Sequence, residues 1–333
     1  MTKSSLPKQP APKRPAKDRR ALGLVLKDGL AHLVVHLISR LPLSMNHRLG
    51  AAVGALVARW PNRQRRNALL NIALCLPHLS EREQIRLRDR NLREFGKTYA
   101  EIGYLWLRPV EQVLGLIKEV RGGEWLRREN GKGLIVLSPH IGAWELAGLY
   151  LAAQGPTAIF YKPQRYLDDL IRDSRARTGG ELAPITPKGI RVLIQALERG
   201  EFVGILPDQE PKADKGAVFA PFFGEPAFTM LLVNRLAKRT GAPVVFLFAE
   251  RLRDVCGFRL HCIPAPEGIA SDDDAIAARA LNEGIERCVL TCPEQYLWPY
   301  KRFRRRPEGS LKIYTGPLDD AHALRHVGRL REG

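Results

Sequence analysis

Short apolar runs at residues 134–137, 158–161, 202–206 and 244–248 alternate with stretches at 144–153, 167–177, 189–198 and 229–240 in which apolar positions recur every three or four residues. The short runs read as buried strands and the longer periodic stretches as helices, with Gly131, Gly200 and Gly241 standing where helices stop. Strand alternating with helix predicts an α/β fold. Its central sheet is expected to be largely parallel or mixed and flanked by helices, with ligands bound beyond the strand ends.

Upstream of residue 117 the period is helical. Residues 21–41 carry Leu, Val and Ile around most of a helix, with a polar stripe of Asp28, His32, His36 and Arg40, and Pro42 ends the run. The length suits a bilayer span, but Lys27 and Asp28 inside it favour a helix that lies in an interface or turns its polar stripe onto protein. Leu49, Val53, Leu56, Val57 and Trp60 continue at helical spacing, followed past Pro61 by Arg63, Arg65 and Arg66. Ordinary core contact is the competing reading of both stripes. Ser80 and Glu83 match a capping box, after which Leu92, Phe95, Tyr99, Ile102 and Trp106 keep a helical period to about Leu107. The organisation expected is a disordered basic tail (1–20), a membrane-associating helical segment (21–62), an α/β catalytic domain (63–312) and a C-terminal tail (313–333).

Charge sharpens the reading of the N-terminal end. The 333 residues carry a formal net charge of +18, and the first 70 hold fourteen Lys or Arg against two Asp. Such an end is attracted to an anionic polymer or an anionic membrane surface. Nucleic-acid binding calls for aromatics interleaved with the cations, and residues 1–20 contain none, so the membrane surface is the expected partner and nucleic acid is not. The N-terminus lacks a signal-peptide cleavage pattern, which points to the cytoplasmic side. Five cysteines spread through a long chain read as free thiols. The spacings of Cys256, His261 and Cys262, and of Cys288 and Cys292, match no common zinc pattern, so no metal is expected. Walker and Rossmann glycine patterns are lacking too, leaving nucleotide binding with little support.

The most informative stretch runs from Gly133 through His140, Gly142 and Glu145 to Leu149: a buried strand, a turn and a helix. His140 falls just past the strand end. With Gly142 permitting a tight turn, Glu145 on the first helical turn is expected to accept the imidazole N–H and fix its tautomer. His140 is then a general base that takes the proton of a hydroxyl attacking an acyl carbonyl, with no serine or cysteine nucleophile required. A buried His paired with a Glu for structure alone is the competing reading.

His140-x4-Glu145 behind an apolar strand resembles the catalytic motif of glycerolipid-type acyltransferases, specifically the lipid A biosynthesis lauroyl or myristoyl acyltransferase family. Further blocks match that family in order: residues 67–77 with Asn71 and Pro77, 160–163, 174–177, 206–209, 221–224, 293–298 and 301–303. The resemblance covers roughly residues 22–309. It implies an acyl carrier protein thioester as donor and a Kdo-bearing lipid A precursor as acceptor, at the cytoplasmic face of the bacterial inner membrane, peripheral or single-pass, with no cofactor. It also implies that Arg175 assists at the reacting carbonyl or a substrate phosphate, with Arg177, Lys162, Asp208 and Gln209 as further substrate-binding or transition-state groups, Asp208 orienting the arginine. Lys162 replaces a common Arg, which removes a bidentate clamp. Tyr300 stands where some members have His. Arg302, Arg304, Arg305 and Arg306 face either an anionic headgroup, an acidic carrier protein or solvent, while Phe222, Phe223 and Trp298 read as core residues. Competing functions are acyl transfer to another phospho- or amino-glycolipid, thioester hydrolysis, and non-catalytic membrane binding.

Overall fold

The computed structural model describes residues 17–128, 131–164, 166–212, 214–253 and 257–332. The helices are α1 (Lys17–Ser39), α2 (Leu43–Arg59), α3 (Arg63–Cys75), α4 (Glu81–Leu107), α5 (Val110–Leu114), α6 (Trp144–Ala153), α7 (Asp168–Ala176), α8 (Pro187–Glu198), α9 (Leu232–Thr240), α10 (Asp274–Thr291) and α11 (Asp320–Glu332). The strands are β1 (Ile117–Arg121), β2 (Leu134–Leu137), β3 (Thr157–Tyr161), β4 (Glu181–Pro184), β5 (Phe202–Ile205), β6 (Ala217–Phe222), β7 (Glu225–Met230), β8 (Val244–Arg251) and β9 (Phe258–Pro264).

Seven strands form the central sheet in the order β1-β9-β8-β2-β5-β3-β4, while β6 and β7 make a separate antiparallel hairpin. Neighbours in the large sheet are parallel except β8 and β9. The mixed α/β sheet expected from the alternating runs is therefore present. Strand β2 lies between β5 and β8 and is buried on both faces. Its period-two alternation divides it: Leu134 and Val136 join Leu146, Ala147 and Leu151 of α6, whereas Ile135 and Leu137 join Leu193 and Leu197 of α8 and Leu236 of α9.

Helix α4 is the spine of the N-terminal region. Ser80 caps it with the reciprocal Glu83 bond anticipated from the sequence. Helix α2 lies against it almost backbone to backbone, because Gly50, Gly54 and Gly96 have no side chain at the crossing: a Cβ on Gly54 would sit 2.1 Å from the Leu92 carbonyl oxygen, and one on Gly96 2.0 Å from that of Gly50. The far faces of α1 and α2 are apolar and open. Leu26, Leu30, Leu33, Val34 and Leu37, then Met45, Leu49, Val53, Leu56 and Trp60, are between 47% and 65% exposed. No described helix is long and apolar enough to cross a membrane.

A buried ionic cluster fixes this helical region to the sheet. Arg251 at the end of β8 donates to Glu101 at 2.7 and 2.9 Å, to Glu94 at 2.9 Å and to Thr98 at 2.6 Å, while His47 of α2 reaches Glu101 at 2.6 Å. Both carboxylates come from α4, so one guanidinium ties α4 to β8.

Three sequence expectations change. The helix expected at 229–240 begins only at Leu232, because Thr229 and Met230 pair with Val218 and Ala217 in the hairpin. Residues 313–332, expected as a C-terminal tail, pack on the domain: Ile313, Ala323 and Val327 are buried in the main core, and Asp320 anchors α11 through Arg88 at 2.8 Å. Of the expected basic tail, residues 1–16 lie outside the described residues and 17–20 open α1.

Candidate active site

The loop that follows β2 is held from three sides. Gly142 has φ +57°, and a Cβ there would lie 2.0 Å from the Ala249 carbonyl oxygen, so this turn requires glycine. The Gly142 and Ala143 amides donate to the carbonyls of Gln295 and Ala249, at 3.0 and 2.9 Å. The Leu297 amide donates to the His140 carbonyl at 3.1 Å. The segment that supplies Gln295 and Leu297 is itself fixed by Asn91, which donates to Tyr296 O at 2.6 Å, and by Asn71, which donates to Trp298 O at 2.6 Å. The sequence blocks around Asn71 and Trp298 thus meet in space to steady the histidine loop.

His140 is oriented by Asp208, not by Glu145. Its Nδ1 lies 2.7 Å from Asp208 Oδ1, and its backbone amide donates to Asp208 Oδ2 at 3.0 Å. Asp208 follows β5, the parallel neighbour of β2, so the two strand ends deliver the pair side by side. Burial pushes the Asp208 carboxyl upward, but the charge and hydrogen bonds of His140 outweigh it and hold the group below the usual carboxylate range. An ionised carboxylate only accepts, so Nδ1 donates to it, and in the neutral ring the lone pair is on Nε2. Gln209 Nε2 lies 3.2 Å from that nitrogen.

Glu145 faces the other way, toward Arg175. The guanidinium of Arg175 donates to Oε1 at 2.6 Å and to Oε2 at 3.3 Å, and the Trp106 indole donates to Oε2 at 3.2 Å. Burial works to raise the Glu145 carboxyl, yet the Arg175 charge and these bonds keep it below the ordinary range. The arginine also covers the Tyr161 ring at 5.2 Å. Relative to the sequence expectation the partners of these four residues are exchanged: the first turn of α6 points Glu145 at α7 and α4, whereas Asp208 takes the imidazole.

Other predicted residues lie elsewhere. Arg177 is spent on the C-terminal end of α4, donating to the carbonyls of Arg108 at 2.6 Å and of Leu105. Lys162, exposed at the end of β3, has its pKa lowered mainly by the neighbouring side chain of Lys212, a like charge. Arg302 is buried, donating to Phe228 O at 2.8 Å and Thr229 Oγ1 at 3.1 Å, and so faces no headgroup. Arg304 and Arg305 pair with Glu210, and Arg306 with Glu225. The Tyr300 hydroxyl accepts the Glu210 amide at 3.0 Å. Phe222 and Trp298 are core residues as expected. Cys75, Cys262, Cys288 and Cys292 are buried free thiols, and Cys256 lies outside the described residues.

A narrow pocket of about 40 Å³ lies between α6 and the sheet. Val136, Leu151, Ile159, Ile205, Leu206 and Leu247 give it apolar walls, and Ser138, Glu145 and Arg175 are its polar groups. Trp144 also lines it, with its ring 5.0 Å from that of His140. Sequence reasoning missed Trp106, Ser138 and Trp144. Trp106 had only its helical period to show, Ser138 stands two residues before the motif, and Trp144 occupies its unspecified spacer.

A histidine held by a buried carboxylate at the strand ends of an α/β sheet is an arrangement suited to moving a proton. Residues 17–305 match the bacterial lipid A biosynthesis acyltransferases, and the chain belongs to that family. It is similar to the lipid A biosynthesis palmitoleoyltransferase of Escherichia coli (strain K12), 31% identical over 285 residues, covering 84% of this chain and 92% of the relative. The lauroyltransferase of the same organism is 30% identical over 281 residues, 83% and 90% of the two chains. The myristoyltransferase is 29% identical over 275 residues, 79% and 82%. The three relatives are named for different acyl groups at nearly equal identity, so overall similarity does not assign the acyl chain here.

Proposed function

We propose that this protein transfers a fatty acyl chain from an acyl carrier protein thioester to a hydroxyl group, free or on a hydroxyacyl chain, of a Kdo-bearing lipid A precursor, at the cytoplasmic face of the inner membrane. The observation that carries the chemistry is the His140–Asp208 pair, whose imidazole lies 5.0 Å from the ring of Trp144, a residue of the apolar pocket wall, and whose Nε2 meets only the side-chain nitrogen of Gln209, which a substrate hydroxyl can displace. His140 Nε2 takes the proton of the acceptor hydroxyl as its oxygen attacks the acyl carbonyl. Asp208 holds the tautomer and stabilises the imidazolium, and the thiolate leaves with the proton returned by His140. The acyl chain occupies the pocket under α6. Arg175, aimed by Glu145, supplies a fixed positive charge for the developing oxyanion or for a substrate phosphate.

The open apolar faces of α1 and α2 support attachment to a lipid surface. They form a band of ten large side chains, with Arg40, Arg48, Arg59 and Arg63 exposed around it. Donor and acceptor identity rest on the family and on the sequence blocks that match it.

The test is to incubate the purified protein with carrier-protein thioesters of several chain lengths and a Kdo-bearing lipid A precursor, and to follow acylated lipid by mass spectrometry beside His140→Ala. Transfer lost by about 10²-fold or more in the variant supports the assignment. Transfer to no glycolipid, hydrolysis without any acceptor, or transfer unaffected by the substitution would overturn it.

A further inference from the structure

The Ser138 hydroxyl is the one polar group on the pocket wall with no assigned task. Its Oγ is out of reach of solvent and has no hydrogen-bond partner. The residue is otherwise tightly placed: it follows β2 directly, its backbone amide donates to the Ile205 carbonyl at 2.9 Å, and strand alternation turns its side chain to the same face as Leu134 and Val136, the α6 face. On that face it lines the pocket with Glu145 and Arg175, two residues before His140. A buried hydroxyl left without a partner destabilises a fold, and an alanine in its place would remove that penalty. The position therefore favours a partner that arrives with the substrate.

We infer that Ser138 Oγ–H is a hydrogen-bond donor to the acyl thioester carbonyl oxygen and to the oxyanion that forms from it. The inference rests on the reading of this site as an acyl-transfer centre. The acceptor oxygen forms a bond to the carbonyl carbon while its proton passes to His140 Nε2, and the carbonyl π pair moves onto oxygen. Ser138 and the Arg175 charge meet that oxygen from the pocket wall. When the intermediate collapses, the C–O double bond reforms, the C–S bond breaks and the thiolate takes the proton from His140. Ser138 forms no covalent bond in this scheme. Its hydrogen bond strengthens as charge develops, so its contribution falls on turnover more than on binding.

The experiment is steady-state acyl transfer by Ser138→Ala with thermal unfolding of the same preparation, beside wild type and His140→Ala. The expected result is a kcat lowered by about 10²-fold, a KM for the thioester within about twofold, and a melting temperature equal to or above that of wild type. A kcat within threefold of wild type overturns the inference. So does a loss of activity accompanied by a lower melting temperature, because the hydroxyl would then serve the fold. Absence of acyl transfer in the wild type overturns the acyl-transfer reading itself, and full transfer by His140→Ala overturns His140 as the base, so these failures are visible separately from that of Ser138.

Discussion

Asp208 holds His140 twice, through the ring at 2.7 Å and through the backbone amide at 3.0 Å, so one carboxylate sets both the place of the residue and the tautomer of its imidazole. Asp208→Asn retains the shape of the site but offers an amide where an anion stood. Acyl transfer is expected to fall by about 10²-fold or more in kcat with little change in KM, and the double variant with His140→Ala should be no worse than His140→Ala alone. Steady-state kinetics on the four proteins of the cycle checks this.

Glu145 and Arg175 form a buried pair, so removing one charge strands the other. Glu145→Ala is expected to destabilise the protein by about 3 kcal/mol, and Glu145→Ala with Arg175→Ala by less than the sum of the two single losses. Urea unfolding across the cycle measures the coupling. Independence of the two effects would rule out the pair as a unit.

Glu101, Glu145 and Asp208 share a pattern: burial pushes each carboxyl up, but cationic and hydrogen-bonding neighbours prevail and hold it below the ordinary range. For a group lowered in the folded state, the stabilisation is complete above its unfolded pKa, about 4, and is lost as pH falls through the lower folded value. The melting temperature should therefore be insensitive to these groups above about pH 5 and fall steeply below about pH 4. Glu101→Gln, less stable at neutral pH, should show a shallower acid slope in scanning calorimetry.

Gly148 lines the pocket, and a Cβ there would meet nothing within 4 Å, so the backbone tolerates a side chain that the cavity must absorb. Gly148→Met is expected to shift preference toward shorter acyl chains. At about 0.8 kcal/mol per methylene, displacing two changes the ratio of kcat/KM values by roughly tenfold. Competition between thioesters of two lengths reads the shift directly, while Gly148→Ala should leave the fold at least as stable.

Leu30, Leu33, Leu49 and Val53 are exposed, so Glu at these positions should leave unfolding unchanged. Replacing one leucine on each helix is expected to lower binding to anionic vesicles by tenfold or more in a sedimentation assay.

Much of this arrangement was legible in the chain itself. The β2 run, Gly142, His140 and Glu145 stand together in sequence, and Asp208 and Arg175 sit in blocks that carried the family resemblance. The pairing was not legible, because His140 and Asp208 are 68 residues apart and meet only where β2 and β5 lie side by side. The direction of Glu145 was equally hidden: it depends on how the turn at Gly142 sets α6 against α4 and α7. Strand β4 has an edge-strand pattern of mixed exposure, and α11 is short of large apolar residues, with only Leu324, Val327 and Leu330, so neither carried a strong signal. Their placement comes from tertiary partners such as Asp320 and Arg88.

The glycine crossing of α2 over α4 has a bearing on scale. Gly96 meets α2 and Trp106 meets Glu145 on the same unbroken helix, about 15 Å apart along its axis. With no side chains to cushion the crossing, little slack exists between the two points. If α2 rests on a lipid surface as proposed, that surface is held at a constant altitude from Glu145 and Arg175, and the protein would act as a fixed-height gauge for the hydroxyl it receives.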